Sequence, residues 1–388
     1  MALNTDRQTL VFVVNVDWYF AMHWLERAVA AKNAGFDVVV VSNSAAGKAD
    51  PRISEARILW IHWPASRYSV APSKLYREFK SLKKILDRLQ PDLIHSITIK
   101  PNLLCGAYAH TRKSGVRYVQ TFPGMGSVLG GGGAAVGVKK KLVTFALRFG
   151  CKRADAFTFE NTDDEQYFRR WILPPDAVVL ISLGAGVDLG LYGYKENEFA
   201  KGEPFRILHA ARLLKSKGLQ ELTEAVALLR KWGYGVTLSA AGIAEPDAPD
   251  AIESSWLIES ESKGLLKLLG QVDDMPSLIP QFHMVALPTS YGEGIPRILI
   301  EAAAMGRCIL ATDVAGCREL IDDGKTGLLV GQAKPESIAL ALKTLLESPE
   351  RVAELGAMAR KHVEAGYGQE TVIRQFLMLY HRLLEKPH

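Results

Sequence analysis

The chain has 388 residues, 48% of them hydrophobic and 23% charged, the balance of a soluble globular protein long enough for two ordinary domains. Its longest apolar runs, such as Leu10 to Val14 and Val38 to Val41, are strand-length and fall far short of a membrane span. The net charge of +5 is uneven: residues 1–190 hold 25 Lys and Arg against 16 Asp and Glu, whereas residues 191–388 hold 22 against 26. A basic first half suggests an anionic partner such as membrane lipid or a phosphorylated substrate. No signal peptide is expected from the N-terminus. Cys105, Cys151, Cys308 and Cys317 show no metal-ligand spacing, so free thiols in a reducing cytoplasm are expected and a metal site is not.

In chain order, Leu10–Asn15, Asp37–Ser42, Ile58–His62, Asp92–Ser96, Arg117–Thr121, Ala156–Glu160 and Val178–Ser182 read as strands. Helical periods over Phe20–Ala34, Lys74–Leu89, Asn102–Ser114, Val138–Phe149 and Asp163–Trp171 alternate with them, the pattern of a parallel sheet covered by helices. The Gly-rich stretch Gly184 to Gly193 breaks the alternation and marks a domain boundary. Strands then recur at Phe205–Ala210, Gly235–Ala241, Leu266–Leu269, Met284–Pro288, Cys308–Thr312 and Gly327–Val330, with helices from about Leu219, Ser255, Met275, Pro296 and Arg318. A helical tail in three segments runs from Pro335 to about Glu385. The expected architecture is α/β: two doubly wound Rossmann-like domains, 1–188 and 189–370, facing across a cleft, with 371–388 packing back toward the first.

The segment Glu293-Gly-Ile-Pro-Arg-Ile-Leu-Ile-Glu301 joins a Gly-Pro turn to a helix start and sets two carboxylates about two helical turns apart. Pro296 suits the first helical position, which leaves Glu293 in the turn and Glu301 on the inner face of the helix. Amides of Gly294, Ile295 and Arg297 at such an end attract anions. An isolated pair of this spacing is also what an ordinary capped helix with solvated glutamates would show. Ala211-Arg-Leu-Leu-Lys-Ser-Lys-Gly218 opens the first helix of the second domain, and its Arg212 and Lys217 are suited to clamping a diphosphate.

Together with Gly184-Ala-Gly-Val-Asp188 and Ala311 to Glu319, these segments resemble the family-four retaining glycosyltransferases of the GT-B fold, over nearly the whole chain. The resemblance implies that Arg212 and Lys217 hold the diphosphate of a nucleotide sugar and stabilise the charge of the departing group without a metal or cofactor. It further implies that Glu301 accepts from the ribose hydroxyls, that Glu293 with the neighbouring amides addresses the donor sugar, and that the base rests near Gln271 and Val272. Many relatives carry a histidine where this chain has Pro123, in Thr121-Phe-Pro-Gly-Met-Gly126. That form, with Gly124 and Gly126, resembles the subgroup building O-antigen or capsular polysaccharide on lipid diphosphate carriers, as does Phe159 to Glu165.

On the acceptor side, Asp17 follows the first strand, and His95 and Lys100 lie at the end of the fourth. Each reads as an acceptor contact or as a structural group satisfied at a strand end. The run Gly130 to Gly137 lies too far past its strand for a dinucleotide fingerprint and reads as an acceptor-side loop or a plain connection. Clustered cations at Lys139 to Lys141, Arg148, Lys152 and Arg153, and at Lys74, Arg77, Lys80, Lys83 and Lys84, suit an anionic membrane surface or a solvated face. Nucleic acid is not expected, for want of a binding module. The activity so implied is transfer of a sugar, most simply from a UDP-sugar, to a polyprenyl-diphosphate-linked saccharide, by a cytoplasmic protein peripheral on the inner face of the cell membrane. A nucleotide-sugar epimerase and a non-catalytic sugar or lipid binder share the architecture.

Overall fold

The computed structural model describes residues 7–66, 69, 71–111, 115–125, 134–198, 202–290 and 294–385, with the backbone alone for 134–139. The chain forms two compact units, residues 1–185 with 371–388, and residues 186–370. Glu293, Gly126 and the glycines of 129–133 lie outside the described residues.

In the first unit a seven-stranded sheet is built from β1 Thr9–Val16, β2 Asp37–Asn43, β3 Leu59–His62, β4 Leu93–Ile97, β5 Arg117–Phe122, β6 Ala156–Phe159 and β7 Val178–Ile181. Its order is β3-β2-β1-β4-β5-β6-β7, with each neighbouring pair parallel. The unbroken apolar runs of β1 and β2 follow from burial on both faces. Leu10, Phe12, Val14, Val38 and Val40 pack with Phe376 and Tyr380 on one side. Val11, Val13, Val39 and Val41 pack with Trp63, Leu82, Leu86 and Tyr108 on the other.

The second unit repeats the plan with β8 Phe205–Ala210, β9 Val236–Ala241, β10 Lys267–Gly270, β11 Met284–Leu287, β12 Cys308–Thr312 and β13 Leu328–Val330, ordered β10-β9-β8-β11-β12-β13. Ile207, Leu238, Met284 and Leu310 meet Leu222, Val226 and Leu229 of the Leu219–Lys231 helix and Ile338 and Leu342 of the Pro335–Leu346 helix. In both units the strand order reverses beside the first strand, at β1/β4 and at β8/β11. Such a reversal opens a crevice at the carboxyl ends of the strands, where doubly wound domains take their ligands. The tail forms three helices, and the last, Gln369–Glu385, buries Val372, Phe376, Tyr380 and Leu383 in the core of the first unit.

Three local expectations are corrected. The single helix over Phe20–Ala34 is two, Asp17–His23 and Leu25–Asn33, broken at Trp24. Trp24 leaves helical dihedrals (φ −127°) and is buried against His95 and Phe376. A short helix, Pro51–Glu55, was not expected, although Asp50 caps it by accepting from Arg52 N and Pro51 takes its first position. Pro296 is the N-cap residue and not the first helical one, with extended ψ of 118°, and the helix runs Arg297–Ala304.

Candidate active site

At the β8/β11 reversal the site is assembled by backbone contacts. Gly218 closes the single 3₁₀ turn Lys215–Lys217 in the left-handed region, at φ 77°. A Cβ there would stand 2.0 Å from the Pro288 carbonyl oxygen, so only glycine lets the two loops touch. The Ser216 carbonyl accepts from Ser290 N at 2.8 Å and Thr289 Oγ1 at 3.0 Å. Gly242 performs the same service one strand over, where a Cβ would stand 1.8 Å from the Ala211 carbonyl oxygen. Gly242 N in turn donates to Gly270 O at 2.8 Å. The loops after β8, β9, β10 and β11 are thereby laced into one rim.

Arg212 and Lys217 stand on this rim. Arg212 Nη1 lies 3.3 Å from Glu245 Oε2, in a half-exposed pair. Lys217 is 7% exposed. Across the reversal, the Arg297–Ala304 helix begins without a side-chain cap, and buried Glu301 faces back along it. Glu301 Oε1 accepts from Arg297 Nε at 2.6 Å. Burial, followed by the charge of nearby Glu301, raises the pKa of the Tyr192 hydroxyl. Burial alone would lower the pKa of Arg297, but Glu301 and Tyr192 more than offset it and raise it. Gly294 and Ile295 precede the helix, Ile295 being buried. Half-buried Val272 follows β10, two strands from β8, or about 10 Å at the usual strand spacing.

The second unit thus brings Arg212, Lys217, Gly294, Ile295, Pro296, Arg297 and Glu301 to the carboxyl ends of two neighbouring strands. Sequence reasoning missed Tyr192, whose surroundings in the Gly-rich boundary read only as a hinge. It also missed Glu245, which no motif singles out.

In the first unit the corresponding reversal, β1/β4, carries Asn15, Asp17 and Thr98. Asp17 is buried and its Oδ1 accepts from Trp18 N. Thr98, whose Oγ1 accepts from Asn15 Nδ2 at 3.0 Å, holds φ 75° and ψ 163°, a region that side chains of its type seldom enter. Half-buried Gly124 follows β5. The Asp164 carboxyl, which accepts from Asn161 Nδ2 at 3.1 Å, has its pKa raised to about 6 by burial.

Two acceptor-side expectations are corrected. His95 is fully buried and faces no open surface: Nδ1 pairs with Tyr380 Oη at 2.7 Å and Nε2 with Thr121 Oγ1 at 2.6 Å. Burial, with Arg27 nearby, holds its pKa well below the usual range, so it stays neutral. Lys100 is also buried, and its ammonium donates to the carbonyls of Ser66 and Ser69 and, at 3.2 Å, to Glu78 Oε2. Both take the structural role, His95 in the core and Lys100 in pinning the loop that follows Trp63.

Set beside known proteins, the second unit matches the glycosyl transferases group 1 family over residues 204–348, and the first matches the glycosyl transferase 4-like family over residues 9–161. The chain belongs to the family-four glycosyltransferases of GT-B fold. It is 25% identical over 331 residues to the N,N'-diacetylbacillosaminyl-diphospho-undecaprenol alpha-1,3-N-acetylgalactosaminyltransferase of Campylobacter jejuni, covering 82% of this chain and 85% of that one. It is also 25% identical over 182 residues to the capsular polysaccharide biosynthesis glycosyltransferase CapM of Staphylococcus aureus, covering 47% of each. Among solved structures, HepE of Anabaena in complex with UDP superposes with a TM-score of 0.76 at 15% identity, covering 97% of this chain and 100% of that one. The chain is a glycosyltransferase.

Proposed function

We propose that this glycosyltransferase moves a sugar from a UDP-sugar, with retention at the anomeric carbon and no metal, onto a saccharide carried on polyprenyl diphosphate in cell-surface polysaccharide synthesis. The observation that carries the donor side is the meeting of the Arg212–Lys217 loop with the Glu301 helix at one strand reversal. As the bond from the anomeric carbon to the β-phosphate oxygen breaks, negative charge gathers on the diphosphate. A nearly buried ammonium at Lys217 and the Arg212 guanidinium, once it leaves Glu245, meet that charge where water screens little. Glu301 takes the ribose hydroxyls, and the amides at Gly294, Ile295 and Arg297 face the distal phosphate. Val272 backs the base. The acceptor hydroxyl attacks the same face that the diphosphate leaves, and its proton passes to the leaving phosphate oxygen. Asp17 and Gly124 border the acceptor.

The names of the Campylobacter relative and of the UDP-bound Anabaena structure support the lipid carrier and the nucleotide respectively. Among the described residues no helix is long and apolar enough to cross a membrane. Peripheral attachment on the cytoplasmic face is favoured by Leu142, Phe145 and Phe149, spaced i, i+3, i+7 on the Ala134–Cys151 helix and 73%, 75% and 51% exposed. Exposed Lys141, Arg148 and Lys152 flank them, the makings of a surface for anionic headgroups.

The test is to incubate the purified protein with UDP-, GDP- and ADP-sugars and a polyprenyl-diphosphate-linked saccharide, and to determine the anomeric configuration of the product by NMR. An α-linked product from an α-configured UDP-sugar supports the reading. An inverted product, or the epimer of the donor formed without acceptor, defeats it.

A further inference from the structure

The Arg212–Lys217 loop is strapped along its length by the segment that follows β9. Leu213 N donates to Ile243 O at 3.0 Å, Ile252 N donates to Leu213 O at 3.1 Å, and Lys215 N donates to Asp250 O at 2.7 Å. Leu214 and Ala251 form an isolated antiparallel bridge, and Ser216 Oγ donates to the Asp250 carboxyl. The strap is acidic, with carboxylates at Glu245, Asp247, Asp250 and Glu253. Its backbone delivers the first of them to Arg212, because Gly242 packs against the Ala211 carbonyl and Ala248 N turns the chain by donating to Glu245 O at 2.9 Å. Among the described residues Glu245 is the one side chain paired with Arg212, at 3.3 Å. The two side chains are 18% and 33% exposed respectively, so the guanidinium stays open to an anion from solvent.

We propose that Glu245 is the resident counter-ion of Arg212: it holds the guanidinium before the donor arrives, yields it to the diphosphate, and takes it back as the nucleotide leaves. The proposal rests on the assignment of Arg212 to the diphosphate. A carboxylate and a phosphate offer a guanidinium the same kind of paired oxygens, so the two compete for one fork. A diphosphate carries more charge than a carboxylate and wins the exchange, whereas a singly charged anion gains little over the glutamate already in place. The competition subtracts the Arg212–Glu245 attraction from the affinity for UDP, whether it is bound within the donor or left as product. Glu245 thereby sets a threshold of ligand charge and favours release of the spent nucleotide. Because the strap is fixed by backbone bonds on either side of Glu245, exchange of partners at Arg212 leaves the loop itself in place.

The experiment is calorimetric titration of the full chain with UDP, for the wild type, Glu245→Gln, Arg212→Ala, the double variant and Glu253→Gln. Glu245→Gln keeps the shape of the side chain and removes its charge, so UDP should bind about three- to fivefold more tightly, the weight of a partly exposed ion pair. The gain should vanish in the Arg212→Ala background. Glu253→Gln, on the same strap but 3.9 Å from Lys215 and largely exposed, should change nothing. Wild-type or weaker affinity in Glu245→Gln overturns the proposal. So does a gain that persists in the double variant or appears equally in Glu253→Gln, because removal of any negative charge then suffices. Arg212→Ala separates the two levels. If it binds UDP as the wild type does, the diphosphate assignment falls and the proposal with it. If it weakens UDP while Glu245→Gln does not tighten it, only the role of Glu245 falls.

Discussion

Replacing Gly218 by alanine probes whether contact between the loops after β8 and β11 builds the donor site. The substitution imposes two costs that a second glycine separates. Gly264 also sits in the left-handed region, at φ 64°, but has nothing within 4 Å of a built Cβ. Gly264→Ala therefore carries only the backbone cost, about 1–2 kcal/mol. Gly218→Ala carries the same cost at φ 77° and adds a Cβ 2.0 Å from Pro288 O. Reaching an ordinary C···O contact needs a displacement of more than about 1 Å. Relieving that overlap adds about 1–3 kcal/mol, for a total of about 2–5 kcal/mol. The displacement moves Lys217 and the Ser216 carbonyl away from Thr289 and Ser290, so UDP affinity should fall by at least about tenfold, as a misplaced charge contact does. Urea unfolding gives the first quantity and calorimetric titration with UDP the second. Equal stability losses in the two variants, or wild-type UDP affinity in Gly218→Ala, would refute the reasoning.

Two further outcomes follow from the buried charges. Lys100→Met strands the Glu78 carboxylate and two carbonyls, and should cost about 3–5 kcal/mol in thermal or urea unfolding. Adding Glu78→Gln, which keeps an acceptor for Ser66 N, should recover part of that loss. His283, whose Nδ1 accepts from Arg206 N at 3.0 Å, has its pKa lowered to about 4 by burial and by Arg206 and Arg307. Its folded value lies below the unfolded one, so its contribution is complete above about pH 6.5 and is lost as pH falls toward 4. The stability difference between wild type and His283→Asn should hold steady above about pH 7 and then shrink by up to about 1.4 kcal/mol per pH unit. A difference that does not vary with pH would contradict this.

Most strands were legible in the sequence because a parallel sheet covered on both faces writes itself as unbroken β-branched runs, as at Val38–Val41 and Leu10–Val14. Helix ends were less so. The break at Trp24 depends on an indole buried against His95 and Phe376, residues 71 and 352 positions downstream, which no local period records. Pro51–Glu55 could have been found from Asp50-Pro51 alone. In the site, Arg212, Lys217 and Glu301 were legible because chemistry and spacing coincide in short motifs. His95 and Lys100 misled because the sequence reads as a strand end suited to a ligand contact, whereas His95 lies in the middle of β4 and Lys100 in the first turn of the Ile99–Ala109 helix, both buried. Tyr192 could not be singled out, since its buried place depends on a turn built by Asp188 and a clamp from Arg360.

The most direct test is nucleotide release, measured on the purified chain with a UDP-sugar and a polyprenyl-diphosphate-linked saccharide in the presence of EDTA, for the wild type and Lys217→Ala. The account predicts release of UDP that depends on the acceptor and persists in EDTA for the wild type, and a loss of at least about a hundredfold in Lys217→Ala with its unfolding curve unchanged. Undiminished release by Lys217→Ala, or release by the wild type abolished by EDTA and restored by a divalent cation, would contradict it.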